Sequence, residues 1–177
     1  MTPADQERFP ALPVTLRNGT PAMIRPLRET DGEALAAFYA GIPEGDAYYY
    51  CPHPLTREYA LRNAANAGSP TEVVLVLEVS GCWISGYAWY RWAEGANAST
   101  FGICVARPFQ GTGAARQLIA RLKEIAPTVG PPVMSLTVQK INPRAVELYK
   151  SMGFQIVRDQ LRAADGCPEY YMELKVS

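Results

Sequence analysis

The segment Gln110-Gly111-Thr112-Gly113-Ala114-Ala115 has the residue types of an anion-binding loop. It follows an apolar run that ends at Val105, and a helical pattern begins at Gly113. Glycines let the backbone approach a ligand without interference from a Cβ atom, and the free N–H groups and dipole of a helix start favour negative charge. The loop therefore suits a pyrophosphate that is bound by backbone donors and needs no lysine. The alternative is a plain strand-to-helix turn, for which the same two glycines would serve.

Two familiar nucleotide motifs do not fit this loop. A P-loop requires Gly-Lys followed by Ser or Thr, which the segment lacks. A dinucleotide fingerprint requires a third Gly or Ala where Arg116 stands, and an acidic residue about 20 positions further on, whereas Glu124 comes too early. The loop therefore favours a phosphate-bearing ligand of another class.

Strand and helix patterns alternate around the loop. Residues 14–17 and 22–25, joined by Asn18-Gly19, predict a hairpin. Thr30 and Glu33 have the spacing of a capping box, with Thr30 as the N-cap of the first helix. The alternation predicts a mixed-sheet α/β or α+β domain. The later strand patterns cover 73–79, 85–92, 100–105, 133–138, 154–161 and 170–176, and the helical patterns cover 31–40, 56–66, 113–127 and 143–152.

Length and composition predict one globular domain. The 177 residues are 48% hydrophobic and 19% charged, and we place a loosely held arm at 1–13 and a single domain at 14–177. Seventeen basic residues balance seventeen acidic ones, so no net field draws the chain to nucleic acid or anionic lipid. The N-terminal segment lacks a signal-peptide pattern, and no run of eighteen apolar residues occurs. The four scattered cysteines indicate free thiols rather than a metal site, so we expect a soluble, cytoplasmic protein without a metal.

Two motifs together resemble the GNAT superfamily of N-acetyltransferases. Gln110-x-x-Gly113-x-Ala115 matches the family's Gln/Arg-x-x-Gly-x-Gly/Ala motif, and 142–154 is similar to its Asn-x-x-Ala-x-x-Leu-Tyr-x-x-x-Gly-Phe segment. The resemblance spans roughly residues 14–176. It implies a GNAT fold with a mixed central sheet of six to seven strands and about four flanking helices. Strands 100–105 and 133–138 would be the parallel pair that splays to form an acetyl-CoA cleft.

The resemblance also assigns the cofactor-binding residues. Backbone groups near the end of the first splayed strand would bind the pantetheine arm and polarise the thioester carbonyl, an oxyanion-type contact. Asn142 has two interpretations, as the N-cap of a helix that starts at Pro143 and as a contact of the cofactor arm. The implied acetyl-CoA contacts are Ile103, Cys104, Val105, Gln110, Gly111, Thr112, Gly113, Ala114, Ala115, Arg116 and Asn142.

Tyr149 matches the general acid of the family, which protonates the departing thiolate. A phenol suits this role because its pKa is near 10 and the pKa of a thiol is about 8.5. The alternative is an aromatic ring that packs beside Leu148 on an amphipathic helix.

The sequence has no carboxylate at the positions where the resemblance would place a general base. Ser99, Thr100 and Thr137 occupy the positions where family members often carry a carboxylate. A water held by Thr100 or Thr137 is one alternative, and His53 is another, although a lone histidine between prolines is more often a surface loop residue.

The resemblance places the acceptor pocket at an aromatic segment, Tyr48-Tyr49-Tyr50. These side chains would stack on a substrate or pack beneath their own loop. On a strand, Tyr87 and Trp89 would share one face and Tyr90 and Trp92 the other, one face lining the core and the other available to wall the acceptor cleft. We therefore expect acetyl transfer to a primary amine of a small molecule or peptide in a ternary complex. The chain would be a monomer or homodimer. A non-catalytic acyl-CoA-binding module and, more remotely, a dinucleotide-dependent enzyme are the alternatives.

Overall fold

A single mixed sheet organises the part of the chain that the computed structural model describes, residues 1–49, 53–80 and 83–176. Its strand order is β1-β2-β3-β4-β5-β6-β8-β7, with β5 and β6 parallel and all other neighbours antiparallel. The sheet has eight strands rather than the expected six to seven, because the N-terminal hairpin joins it. The strands are β1 (Leu12–Thr15), β2 (Pro21–Pro26), β3 (Glu72–Val79), β4 (Trp83–Arg91), β5 (Ala98–Val105), β6 (Val133–Gln139), β7 (Gln155–Leu161) and β8 (Pro168–Lys175).

Six α-helices lie within the described residues, two more than the sequence predicts. The additional ones are short: α1 begins at a capping box made by Thr2 and Asp5, and α3 is a single turn. Residues 1–13, expected as a loosely held arm, instead form α1 and the start of β1, with the Met1 side chain buried. The helices are α1 (Pro3–Arg8), α2 (Gly32–Ala40), α3 (Glu44–Ala47), α4 (Arg57–Ala65), α5 (Ala114–Val129) and α6 (Pro143–Ser151).

The predicted capping box at Thr30 is wrong. The N-cap of α2 is Asp31, which makes no capping bond to that helix. Its carboxylate instead accepts bonds from the Arg28 amide at 2.7 Å and from the buried Arg25 guanidinium at 2.6 and 2.9 Å. Arg25 also donates to Glu78 at 2.6 Å. Thr30 therefore lies inside the short 3-10 turn Glu29–Asp31 rather than at the N-cap, and the carboxylate of the actual N-cap residue is used in the ion pair with β2.

Each face of the sheet carries a core. Ala88 and Tyr90 of β4 pack with α5 on one face, while Tyr87 and Trp89 pack with α2 on the other, which confirms the predicted alternation. Both faces are core, so neither aromatic pair lines a cleft. The Trp89 indole lies so close to β5 that a Cβ on Gly102 would stand 2.6 Å from it. Only a glycine permits this approach, just beyond the point where β5 leaves its parallel neighbour.

His53 belongs to the second core and is not a surface residue. Its side chain is 8% exposed and stacks on Tyr59 with ring centroids 4.1 Å apart, beside Tyr87 and Trp89. Its Nδ1 lies 2.9 Å from the carbonyl oxygen of Pro54. Burial lowers the pKa of this imidazole to about 4, so the ring is neutral at pH 7.

This burial predicts a loss of stability in acid. The imidazole is neutral in both states above its unfolded pKa of about 6.5. Between that value and about 4 the unfolded chain binds a proton that the folded protein does not, so stability falls as the pH falls. The His53→Gln variant should lack this contribution, which we put at about 2 to 3 kcal/mol between pH 7 and pH 4.5. Urea unfolding of both proteins measures it, and free energies that fall in parallel would contradict the assignment.

Candidate active site

The two parallel strands separate shortly after they pair. Residues Ala98–Thr100 of β5 are in register with Val133–Ser135 of β6, and no further pairs follow. Two serines close this end: Ser135 Oγ donates to the Ser99 carbonyl at 2.7 Å, and Ser99 Oγ donates to the Val133 carbonyl at 3.2 Å. Beyond them one edge of β5 faces a gap. The predicted splay is therefore confirmed.

Two cavities meet at this gap. The loop-side cavity, of about 330 Å³, lies between the glycine loop and α6, and the strand-side cavity, of about 700 Å³, lies over β5, β6 and β8. Tyr49, Ile103 and Tyr149 line both. The loop-side cavity is also lined by Asp46, Cys104, Val105, Phe109, Gln110, Ala115, Asn142, Arg144, Ala145 and Leu148. The strand-side cavity is also lined by residues 47–48, 100–102, 135–137, 162–165, Glu169 and Tyr171.

The glycine loop presents unpaired amides at the start of α5. Gly111 and Gly113 have φ values of +80° and +91°, a conformation that other residues rarely adopt. The Arg17 amide donates to the Thr112 carbonyl at 2.8 Å, which ties the loop to the β1–β2 turn. Gly113 is the N-cap and makes no side-chain capping bond, so the first-turn amides have no intrahelical acceptor. This arrangement can bind an anion.

Arginines surround the loop, although the sequence suggested that backbone donors suffice. Arg144 Nη2 lies 3.4 Å from the position of a Cβ on Gly111, and Arg17 Nε lies 3.5 Å from that on Gly113. Arg116 donates to Ser151 Oγ at 2.7 Å. None of these three arginines takes part in an ion pair with a described residue. Arg17 and Arg144 were missed because their proximity depends on a distant hairpin and on α6.

The structure divides the expected cofactor contacts into two groups. Ile103, Cys104, Val105, Gln110, Ala115 and Asn142 line the loop-side cavity. Gly111, Thr112, Gly113, Ala114 and Arg116 belong to the adjoining loop and first turn without lining it.

Gln110 and Asn142 each have a structural task at the cavity wall. Gln110 Nε2 donates to the Val105 carbonyl at 3.2 Å and to Asp46 at 3.1 Å, which joins β5 to α3. Asn142 Oδ1 accepts the Ala145 amide at 3.2 Å, so the N-cap interpretation holds. The side-chain nitrogen of Asn142, Nδ2, makes no hydrogen bond to a described residue, which leaves its two N–H groups for a ligand.

Tyr149 lies at the junction of the two cavities. Its ring packs edge-on against Phe101 and Phe154, with centroids 6.0 and 5.8 Å away, rather than beside Leu148 alone. The hydroxyl has no partner among the described residues, yet it is not among the fully buried unpaired atoms, so solvent reaches it. Burial, followed by the nearby Cys104 thiol, raises the pKa of this phenol above its usual value. The phenol is therefore protonated and placed to donate.

Cys104 is a second buried side chain at the site, and its environment affects the ionisation of its thiol. Its side chain is buried and lines the loop-side cavity beside Tyr149. Burial, with a smaller effect of Asp46, raises the pKa of the thiol to about 12. A thiolate is thus strongly disfavoured here, and Cys104 is a poor nucleophile.

The candidates for the base are only partly brought together. Thr100 and Thr137 line the strand-side cavity with Tyr149, whereas His53 lines neither cavity. Glu169 also lines the strand-side cavity, and no local sequence pattern indicates it. Tyr48 and Tyr49 are about half exposed and form part of its wall, while Tyr50 lies outside the described residues.

A family comparison agrees with this geometry. Residues 28–154 match the model of the Acetyltransferase (GNAT) family. The chain belongs to this family. Its mixed sheet and splayed cleft are therefore those of a GNAT fold, as the sequence motifs predicted.

Solved GNAT structures share the fold at low sequence identity. The GNAT domain of S. lividans PAT is 20% identical with a TM-score of 0.78, over 93% of this chain and 96% of that one. A putative acetyltransferase from Salmonella typhimurium with its cofactor acetyl-CoA is 21% identical with a TM-score of 0.71, over 88% and 94%. Spermidine N-acetyltransferase from Vibrio cholerae in complex with CoA and spermine is 20% identical with a TM-score of 0.71, over 87% and 95%. No curated protein sequence matches this chain.

Proposed function

We propose that this GNAT protein transfers an acetyl group from acetyl-CoA to a primary amine by direct attack in a ternary complex. The observation that carries the proposal is Tyr149, which lines both cavities at the gap between β5 and β6. A donor in one cavity and an acceptor in the other would meet at its hydroxyl. Structures of GNAT proteins with acetyl-CoA or with CoA and spermine support a donor of this kind.

The loop-side cavity suits acetyl-CoA in both shape and charge. The unpaired edge of β5 at 101–105 offers backbone groups to the amides of the pantetheine arm. The first-turn amides of α5 would bind the pyrophosphate, with Arg17 and Arg144 adding positive charge. The Asn142 amide would donate to the arm beside them.

In the transfer itself, Tyr149 is the proposed general acid. Acetyl-CoA supplies an activated thioester, and the chain must stabilise the developing oxyanion and protonate the leaving sulfur. Backbone groups of Ile103–Val105 would stabilise the oxyanion. Burial raises the pKa of the Cys104 thiol, which supports the view that a sulfur anion in this cavity is costly and that a proton donor at the sulfur lowers the barrier. The same observation argues against an acetyl-cysteine intermediate at Cys104.

The remaining parts of the proposal follow from composition and surface. No described helix is long and apolar enough to cross a membrane, and the described cysteines Cys104 and Cys167 are free thiols. We infer a cytoplasmic monomer or homodimer that binds neither nucleic acid nor membrane, because the chain has no net charge.

A non-catalytic acyl-CoA-binding module is the second candidate, favoured by the absence of a carboxylate at the usual family positions. An assay of free CoA thiol, run with acetyl-CoA and a panel of primary amines, distinguishes the acetyltransferase from the binding module. We expect release that depends on both acetyl-CoA and an amine. Tight acetyl-CoA binding without release on any amine would establish the module instead.

The Tyr149→Phe variant tests the acid. Losing the phenolic proton should lower kcat by about 10²- to 10⁴-fold with little change in the Kd of acetyl-CoA, because the ring packing is retained. Steady-state kinetics and calorimetry measure the two effects. Cys104→Ala is the matched control, since it alters the same cavity and should keep most of the turnover. Unchanged kcat in Tyr149→Phe would remove the assignment.

The arginines predict a salt-dependent donor affinity. Arg144→Gln and Arg17→Gln should each raise the Kd of acetyl-CoA by roughly three- to tenfold at low salt, and less at high salt, because both side chains are exposed. The exposed Arg57 on α4 is paired with Glu33 and lines neither cavity, so Arg57→Gln should leave this Kd unchanged. Calorimetry at two salt concentrations tests this. Equal affinities of all variants would show that backbone donors alone hold the pyrophosphate.

A further inference from the structure

Glu169 is a buried carboxylate that the proposed chemistry does not yet use. It lies near the start of β8, opposite Gln139 of β6, and its side chain is 5% exposed. One oxygen accepts a bond from Gln160 Nε2 at 2.6 Å. Carboxylates are seldom buried without a cationic partner, because the loss of hydration is costly. Its environment therefore calls for an explanation.

The second carboxylate oxygen is directed to solvent in the cavity. The Glu169 carboxylate makes no other hydrogen bond and no ion pair with any described residue. Among described residues the Tyr90 hydroxyl alone is a fully buried side-chain atom without a partner, so the free oxygen of Glu169 must retain solvent contact. Because Glu169 lines the strand-side cavity, this contact is with the cavity.

The strand-side cavity consequently carries one uncompensated negative charge. Its other charged lining residues, Arg162 and Asp165, form an ion pair with each other. None of the residues outside the described ranges is basic. A cationic group is therefore the ligand that this cavity attracts, and a carboxylate is the group that it repels.

Glu169 also lies at a suitable place relative to the gap. Thr137 pairs with Tyr171, two residues beyond Glu169, and all three line the same cavity. Thr137 and Glu169 are therefore diagonal neighbours on one face of an antiparallel pair, a relation in which residues are about 7–8 Å apart. A ligand nitrogen held between them is within reach of both side chains, on the acceptor side of Tyr149.

We propose that Glu169 binds the ammonium group of the acceptor and receives its proton, and that the protein acts on cationic primary amines that carry no carboxylate beside the amine. This rests on the proposed acetyl transfer. The ammonium gives one proton to the Glu169 carboxylate, which passes it to water in the cavity. The neutral amine forms the C–N bond and the C–S bond breaks. The sulfur takes the Tyr149 proton, and the second proton of the nitrogen restores the phenol.

Matched pairs of amines test the substrate class: phenethylamine with phenylalanine, tyramine with tyrosine, and cadaverine with lysine. Each pair differs only in the carboxylate. With CoA present, calorimetry should show that at least one decarboxylated member binds about tenfold or more tightly than its amino acid. Glu169→Gln should weaken that binding about ten- to hundredfold, because a charge-assisted hydrogen bond is lost. Glu169→Asp should recover part of it.

Glu173→Gln is the control, since Glu173 lies on the same strand and face and lines neither cavity. It should leave amine binding unchanged, and the acetyl-CoA Kd and melting temperature should be alike in all variants. Acetylation that is equally efficient in Glu169→Gln, preference for the amino acids, or no binding of any pair would overturn the inference. Amine binding that requires Glu169 but releases no CoA would uphold its binding role and overturn the proposed transfer.

Discussion

The early separation of β5 from β6 is the constraint on which the site depends. After three residue pairs the backbone groups along one edge of β5 lose their strand partner. Buried backbone groups without partners are costly, so this edge has to face water or a ligand. The two serines hold β5 and β6 together at one end, so the strands separate only toward the other end. A cleft with exposed backbone donors and acceptors is thus a product of the sheet itself.

Charge then distinguishes the two sides of that cleft. The loop-side cavity has the start of α5, Arg17 and Arg144, all of which favour phosphate. The strand-side cavity has the Arg162–Asp165 pair and the carboxylate of Glu169. An anionic donor and a cationic acceptor would therefore be directed to opposite sides of Tyr149. Separation by charge keeps two ligands from competing for one cavity.

Local patterns predicted the strands, the longer helices and the glycine loop, because those depend on neighbours in sequence. Features set by distant contacts were missed. Asp31 is bound by Arg25 from β2 and not by its own helix, and His53 is buried by rings from α2, α4 and β4. One- and two-turn helices such as α3 contain too few residues for a periodic pattern. Arg17 and Glu169 likewise reach the site only through tertiary structure.

The same low polarity that disfavours a thiolate also makes the site suitable for transfer. Cys104 shows that a sulfur anion beside Tyr149 is unstable, and the phenol itself resists ionisation for the same reason. Burial raises the pKa of the phenol and of the thiol in the same direction, so the phenol stays protonated and available to a leaving sulfur that is itself costly to leave as an anion. The amine, in contrast, must lose a proton before it can attack. The strand-side cavity offers the Glu169 carboxylate for this step, whereas Asp46 of the loop-side cavity is paired with Arg107. Proton donation to the sulfur would thus take place on the loop side of Tyr149, and proton removal from the nitrogen on its strand side.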